Sequence, residues 1–230
     1  MPNVNVSGQG YITGTTETSQ AAARDATTGT HTDATNQQDF AIQWFRSAGR
    51  GGGAMRYIRT FLYFDTSGIT GTISSATLKI LGSNNGLSGT NDNGHVIGVK
   101  STAFGGDGGT SLASGDFDNI DYNTVYTDEI DNWILANSPT FNEFTLTSTA
   151  LTDIKNNDAF IIAIVNHTSD YLDQDTSDGV FSNAINFSGI TIDYTLAPTG
   201  YGNNVIGVPS ANISTVNAVA TANIEKIISA

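Results

Sequence analysis

The chain has 230 residues, a formal net charge of −13, 38% hydrophobic and 13% charged residues, and no cysteine. This is enough apolar material for one large core under a surface built mainly from Ser, Thr, Asn and Gly. The balance excludes disulfides and thiolate metal centres, is the wrong sign for a phosphate backbone, and contains no run near the ~18 apolar residues of a membrane helix.

The opening "MPNVNVSGQGY" carries neither the basic nor the apolar region of a secretory leader, so synthesis in the cytoplasm without an export signal is expected. "QGYIT" reads as a short strand. The following "GTTETSQAAARDATTGTHTDATNQQ" keeps neither a period of 2 nor one of 3.6, and is expected to be a long surface excursion. "FAIQWF" is a strand, "RSAGRGGGA" a glycine loop, and "MRYIRTFLYF" a long strand. Its alternation puts Ile58, Thr60, Leu62 and Phe64 on one face and Tyr57, Arg59, Phe61 and Tyr63 on the other. Both faces are partly apolar, as in a central strand with one side in a sandwich and the other covered by a loop. All five arginines lie between Arg24 and Arg59, and Arg46, Arg50, Arg56 and Arg59 fall in an acid-free stretch from Phe40 to Phe64. They either answer the acidic remainder or form a basic docking patch.

"ISSATLKI" is a cleaner half-buried strand, with Ala76, Leu78 and Ile80 alternating with Thr77 and Lys79. "HVIGVK" is the next strand, and a polar stretch, "STAFGGDGGTSLASGDFDNIDYN", follows. In "TDEIDNWILANSP", Thr127 as N-cap, the acids after it, and Ile130, Trp133 and Ile134 at helical spacing predict a short amphipathic helix ended by Pro139. "NEFTLTS" is a strand, "TALTDIKNN" a second short helix, "DAFIIAIVNH" an apolar central strand, and "INFSGITIDYTL" the last. The expectation is an all-β jelly-roll β-sandwich over residues 1–196, with about eight strands and two short helices.

Residues 197–230 change character. "IGVPSANISTV" and "NAVATANIEKI" align at a period of 11 residues. The alignment matches Val208 with Val219, Ile213 with Ile224, and Val216 with Ile227. Each unit reads as an extended step at its first valine followed by a helical turn through "ANIxxV/I". Two units cannot enclose their own core. Val208, Ile213, Val216, Val219, Ile224 and Ile227 are therefore expected to pack on another chain or on the main domain; the first reading, in which they bind a partner, makes this a C-terminal anchoring or oligomerisation tail.

The segment "RTFLYFDTSGITGTISSATLKILG" resembles the DNRLRE-type domain, a jelly-roll sandwich of bacterial surface proteins, carbohydrate-binding modules and phage proteins. The matching positions are Leu62, Phe64, Asp65, Ile69, Ile73, Ala76, Leu78 and Ile80. The Trp133 helix and "FTLTSTALTDIKNNDAFIIAIVN" resemble the family's second half, so the likeness spans roughly residues 8–196. Tyr63 stands where the family usually has a basic residue. The tail is similar to short repeats at the ends of tailed-phage structural proteins. In the matched turn, Asp65 is expected to accept backbone N–H groups between Thr66 and Gly71.

Catalytic chemistry is not apparent. His31, His95 and His167 have no metal-triad spacing, and neither a nucleophile elbow nor a phosphate loop occurs. Asp116 and Asp118 read as solvated loop acids rather than a catalytic pair. No cofactor is expected beyond calcium, for which Asp173, Asp175 and Asp178 offer oxygen donors, as do Asn91, Asp92 and Asn93, without the bidentate Glu of an EF-hand. Trp44, Tyr57 and Tyr63 are candidate sugar platforms.

These features together, with the resemblance, imply a non-enzymatic virion structural protein of a tailed phage, placed as capsid decoration or as a neck or tail-fibre component. Its expected partners are other virion proteins, further copies of itself and a host surface glycan, with neither nucleic acid nor membrane insertion. The alternative is a carbohydrate-binding module of a cell-surface or secreted protein.

Overall fold

The computed structural model describes residues 1–33, 42–46, 54–81, 87–88, 95–129, 141–175, 181–182, 189–197, 215–216 and 219–220. It divides into two compact units, Met1–Thr195 and Leu196–Ala230. The strands of the first are β1 (Asn3–Asn5), β2 (Gly8–Gly14), β3 (Gly29–Asp33), β4 (Ile42–Arg46), β5 (Met55–Asp65), β6 (Ile73–Leu81), β7 (Leu87–Ser88), β8 (Val96–Ser101), β9 (Ile120–Val125), β10 (Phe141–Thr145), β11 (Ala159–Asn166), β12 (Phe181–Ser182) and β13 (Ile190–Leu196). Among the described residues, helices α1 (Gln20–Arg24) and α2 (Ser148–Asn156) complete the regular elements, apart from short 3₁₀ turns and one π-turn.

The architecture is the expected all-β sandwich. A four-stranded sheet in the order β1-β13-β6-β10 faces a nine-stranded sheet in the order β7-β12-β4-β5-β11-β8-β9, with β2 and β3 attached at β5. The chain crosses between the sheets repeatedly, from β5 to β6, from β9 to β10 and from β10 to β11, which gives the jelly-roll-like character. The core between the sheets collects Leu62 and Phe64 from β5, Leu78 and Ile80 from β6, Phe144 from β10, Phe160 and Ile162 from β11, and Ile192 from β13. Phe160 tilts against both Phe64 and Tyr126, with ring centroids 6.3 and 4.8 Å apart.

A second apolar cluster lies on the other face of the large sheet. Tyr57 and Phe61 of β5, Ile97 and Val99 of β8, and Ile161, Ala163 and Val165 of β11 meet Ala23 of α1 and Phe104, Leu112 and Phe117. Thus β5 and β11 are buried on both sides, which explains the near-continuous apolar run of β11. The register fixes this: Ile162 pairs with Leu62 and Ala163 with Phe61. Gly98 of β8 sits where the layers close most tightly. A Cβ there would lie 2.6 Å from Ile162 Cδ1 and 2.7 Å from Thr127 Cγ2, so no side chain fits.

Two expectations are corrected. The stretch 14–38 is not merely a surface excursion: it contains α1 and β3, and β3 pairs with β2 from Gly29↔Gly14 to Asp33↔Gly10. Ser19 caps α1 by accepting the Ala22 N–H at 3.2 Å, and a run of three alanines sustains the helix. The polar stretch 101–123 likewise enters a strand, β9, paired with β8 through a bulge between Val99 and Lys100. Helix α2 forms as expected, with Thr147 accepting the Ala150 N–H at 3.3 Å. The helix through Ile130, Trp133 and Ile134 lies outside the described residues. Its proposed cap, Thr127, is buried, and its hydroxyl accepts the Gly98 N–H at 2.7 Å. In the family-like turn, Asp65 Oδ1 accepts the Ser67 N–H at 3.1 Å and its hydroxyl at 2.6 Å, as expected.

Because Phe64 is fully buried between the sheets and Tyr63 only half-buried on the opposite face, Phe64→Ala is expected to destabilise by roughly 3–5 kcal/mol. Tyr63→Ala should cost about 1 kcal/mol. Urea unfolding of the two variants measures the difference, and a costlier Tyr63→Ala would reverse the assigned faces.

Candidate functional site

The most strongly coupled polar groups lie inside the second apolar cluster. Arg59 points from the middle of β5 into the cover and is 1% exposed, as is its partner Asp170. The guanidinium grips the carboxylate with Nε–Oδ2 at 2.9 Å and Nη2–Oδ1 at 2.7 Å. Nη1 donates to the Phe117 carbonyl at 3.0 Å and Nη2 to the Arg24 carbonyl at 2.8 Å. The Phe117 ring lies 4.1 Å below the guanidinium carbon. Asp170 belongs to the π-turn His167–Tyr171, which is capped by Asn166 accepting the Ser169 N–H at 2.7 Å.

Around this pair further buried donors are matched, although Arg24 Nε is buried without a hydrogen-bond partner. Tyr57 donates to the Ser169 carbonyl at 2.8 Å and accepts Gln20 Nε2 at 2.7 Å. Tyr122 donates to Asp170 Oδ1 at 2.9 Å. Burial opposes the charge on Arg59, but the Asp170 carboxylate outweighs it and holds the pKa above its ordinary value. Burial pushes the Tyr57 phenol up to about 12 and the Tyr122 phenol well above its usual value, with the Asp170 charge adding to both. Groups so paired fasten segments together. Tyr57, a candidate sugar platform in the sequence, is wholly buried here.

The arginine-rich stretch is therefore not a simple surface patch: Arg59 and Arg24 both point inward. Arg24 Nη1 donates to the Ser169 carbonyl at 2.9 Å, and Nη2 meets Asp173 directly and Asp175 at 3.5 Å. Two of the three calcium candidates thus face a protein cation. Asp178 lies outside the described residues, as do Asn91, Asp92, Asn93 and Arg50; the side chains of Arg46 and Trp44 are not described either.

The loop 104–110 forms a ridge between two surface grooves. Gly105, Gly106 and Gly108 have φ of 76, 82 and 78°, and even Phe104 has φ of 56°, a value bulky residues rarely adopt. Asp116 holds the ridge. Its Oδ2 accepts the N–H groups of Phe104 at 3.2 Å and Ala113 at 3.0 Å, while Oδ1 accepts Asn119 Nδ2 at 2.7 Å. It is a buried anchor, not the solvated acid expected, whereas Asp118 is exposed. One groove, about 370 Å³, is lined by Ser7, Gln9, Tyr63, Phe104, Gly108 and Thr110. Tyr63 and Phe104 form its aromatic wall, ring centroids 6.2 Å apart, and a side chain on Gly108 would collide with the Tyr63 ring. The other groove, about 490 Å³, is lined by Lys100, Tyr126, Asp107, Asn157 and Asp158. At its edge Lys100 donates to Asp153 Oδ2 at 2.8 Å, and Tyr126 donates to the same oxygen.

A cluster missed in the sequence joins His95, Glu129 and His167. The histidines are far apart in the chain but flank paired strands: His95 immediately precedes β8 and His167 follows β11. The His167 N–H donates to the His95 carbonyl at 3.0 Å. The available signal was that each terminates an apolar run of an antiparallel pair. His31 lies in β3. Of the six tail residues expected to bind a partner, Val216 and Val219 pair directly across an antiparallel ladder formed by β14 (Thr215–Val216) and β15 (Val219–Ala220). Val216 is therefore extended where a helical turn was expected. Val208, Ile213, Ile224 and Ile227 lie outside the described residues.

Removing one partner of the buried pair strands the other charge, so Asp170→Asn is expected to cost about 3–5 kcal/mol in urea unfolding. A loss under 1 kcal/mol would show that the pair is not what fastens the cover. Alkali acts on the same centre. The raised Tyr57 pKa means its neutral form is favoured by folding, so its contribution is complete below pH ~10 and is lost as pH rises toward 12. Melting temperature should be level from pH 7 to 9 and fall steeply above ~10, and a flat profile to pH 12 would contradict the buried-phenol assignment. Compared with protein-family models and with curated proteins, the chain matches none.

Proposed function

We propose that the protein is a non-enzymatic structural protein of a tailed-phage virion, a capsid, neck or tail component that displays a β-sandwich and assembles through its C-terminal segment. The observation that carries this reading is the division into a sandwich, Met1–Thr195, with two apolar clusters of its own, and a short separate unit, Leu196–Ala230, that contains the apolar repeat. A domain with a complete core has little need of a 35-residue apolar-repeat appendage for its own stability, whereas a displayed domain needs an attachment. The pairing of buried ionisable groups with one another supports a scaffold. Low charge, an acidic balance and the absence of cysteine suit a particle surface assembled without disulfides. The partners on this reading are other virion proteins and further copies of the chain. No helix among the described residues is long and apolar enough to cross a membrane.

One observation favours a second reading, a carbohydrate-binding module. The groove between Tyr63, Phe104 and the glycine ridge presents an aromatic wall beside the polar residues Ser7, Gln9 and Thr110, a surface that suits the apolar face and hydroxyls of a sugar. On the first reading the same groove would serve adhesion to a host glycan.

Truncation after Leu196 keeps β13 whole and tests the leading proposal. The shortened chain is expected to remain folded and monomeric by light scattering, to melt within a few degrees of the full chain, and to be absent from purified particles. Normal incorporation, or unfolding of the shortened chain, would overturn the attachment role. A glycan array probed with the full chain and with Tyr63→Ala separates the readings: a sugar signal lost in the variant supports the groove, and a blank array leaves the structural role alone.

A further inference from the structure

We propose that His95, Glu129 and His167 form a binding site for one divalent late-transition-metal ion, zinc foremost. The Nδ1 atoms of both histidines approach a single carboxylate oxygen, Glu129 Oε1, at 2.6 Å and 2.8 Å. All three ligand atoms lie within 4.8 Å of one another. A tetrahedral zinc with bonds of about 2.0–2.1 Å separates its ligand atoms by about 3.3 Å, so a small opening of the two His–Glu separations admits the ion.

The framework already suits such a site. His95 and His167 stand side by side because the ends of β8 and β11 are held in register by Asn166↔Val96 and by the His167 N–H bond to the His95 carbonyl at 3.0 Å. The His167 ring stacks on Tyr171, centroids 5.5 Å apart at 17°, which limits its rotation. Glu129 comes from a third segment, two residues after Thr127, whose isolated bridge to Leu146 fixes its approach. Two of the three ligands thus stand at strand ends set by the sheet register, and the third follows a bridged residue by two positions.

The donor set chooses the ion. Two imidazoles and one carboxylate, with no thiolate in the chain, favour zinc, nickel or copper over calcium and magnesium, which take oxygen. In the metal-free arrangement both Nδ1–H groups donate to Oε1. With the ring protons on Nε2, the two Nδ1 lone pairs turn toward the ion. His95 is 36%, Glu129 30% and His167 16% exposed, so water has access to the fourth position. Bound there, the ion cross-links β8, β11 and the segment leaving β9, and fixes the first residue of the π-turn whose fourth residue is Asp170.

The full chain, stripped with EDTA and freed of chelator, is titrated with zinc chloride by calorimetry. One equivalent is expected to bind, with no competition from a hundredfold excess of calcium or magnesium, and the melting temperature should rise on saturation. His95→Ala and His167→Ala should abolish that equivalent and Glu129→Gln should weaken it at least tenfold. His31→Ala, which removes the remaining histidine, should leave it intact. Should a variant fail to fold, cobalt(II) on the unmodified chain decides: two imidazoles, a carboxylate and water give the intense visible bands of a tetrahedral ion. No stoichiometric binding, an equal loss in His31→Ala, or the pale spectrum of hydrated cobalt overturns the site.

Discussion

The structure depends on one guanidinium. β5 carries large apolar side chains on both faces, so the face turned away from the small sheet must be covered, and the covering pieces are individually weak. Helix α1 has five residues, far short of the ~12–15 at which an isolated helix becomes marginal. The others are a 3₁₀ turn and a single π-turn. Arg59 reaches out of the sheet and bonds all three: the carbonyl of Arg24 at the end of α1, the carbonyl of Phe117 in the 3₁₀ turn, and the carboxylate of Asp170 in the π-turn. One side chain thereby ties three chain segments, more than 140 residues apart at their extremes, to the central strand.

A buried ion pair is not a favourable choice in itself, because desolvating each charge costs several kcal/mol. Its advantage here is geometric. The planar fork directs donors at fixed angles, and an apolar residue of equal volume would leave the Arg24 and Phe117 carbonyls buried without partners. Tyr57 and Tyr122 extend the same logic, each filling apolar space with its ring while its hydroxyl meets the π-turn. In a chain without cysteine, this network joins distant segments as a set of disulfides does in other small sandwiches.

The frame was readable in the amino-acid sequence where the physics is local. Alternation over "ISSATLKI" and the unbroken apolar run of "AFIIAIVN" point directly to β6 and β11, and the two-faced pattern of β5 already implies a covered outer side. What covers it was not readable. The 14–38 stretch lacks periodicity because α1 is too short to show one and β3 is an outer strand whose neighbours set its course. Asp170 has no local mark of its role: its partner lies 111 residues away, and only the pairing of β11 with β5 brings the two elements together. The histidine cluster was hidden for the same reason, since strand register rather than spacing in the chain makes neighbours of His95 and His167. Asp116 was misjudged because an acid in a glycine-rich loop resembles a solvated one until its three bonds are seen.

These placements separate what is rigid from what is available. The interior charges are committed to holding the cover, and the cover in turn presents its own surface features. The ridge at 104–110 owes its unusual backbone to Asp116, and both grooves owe their walls to that ridge. The π-turn plays the corresponding part at the other side of the cover. It gives Asp170 to the interior and begins with His167, which faces Glu129 at the surface. A ligand that orders His167 acts on the same five-residue turn that anchors Arg59. Since such a ligand binds only when β8 and β11 are in register, its binding free energy adds to the stability of the folded form. Surface histidine and interior fastening in this sandwich therefore meet in one short turn, and the stability of the cover is the quantity through which occupation of the proposed site would be felt.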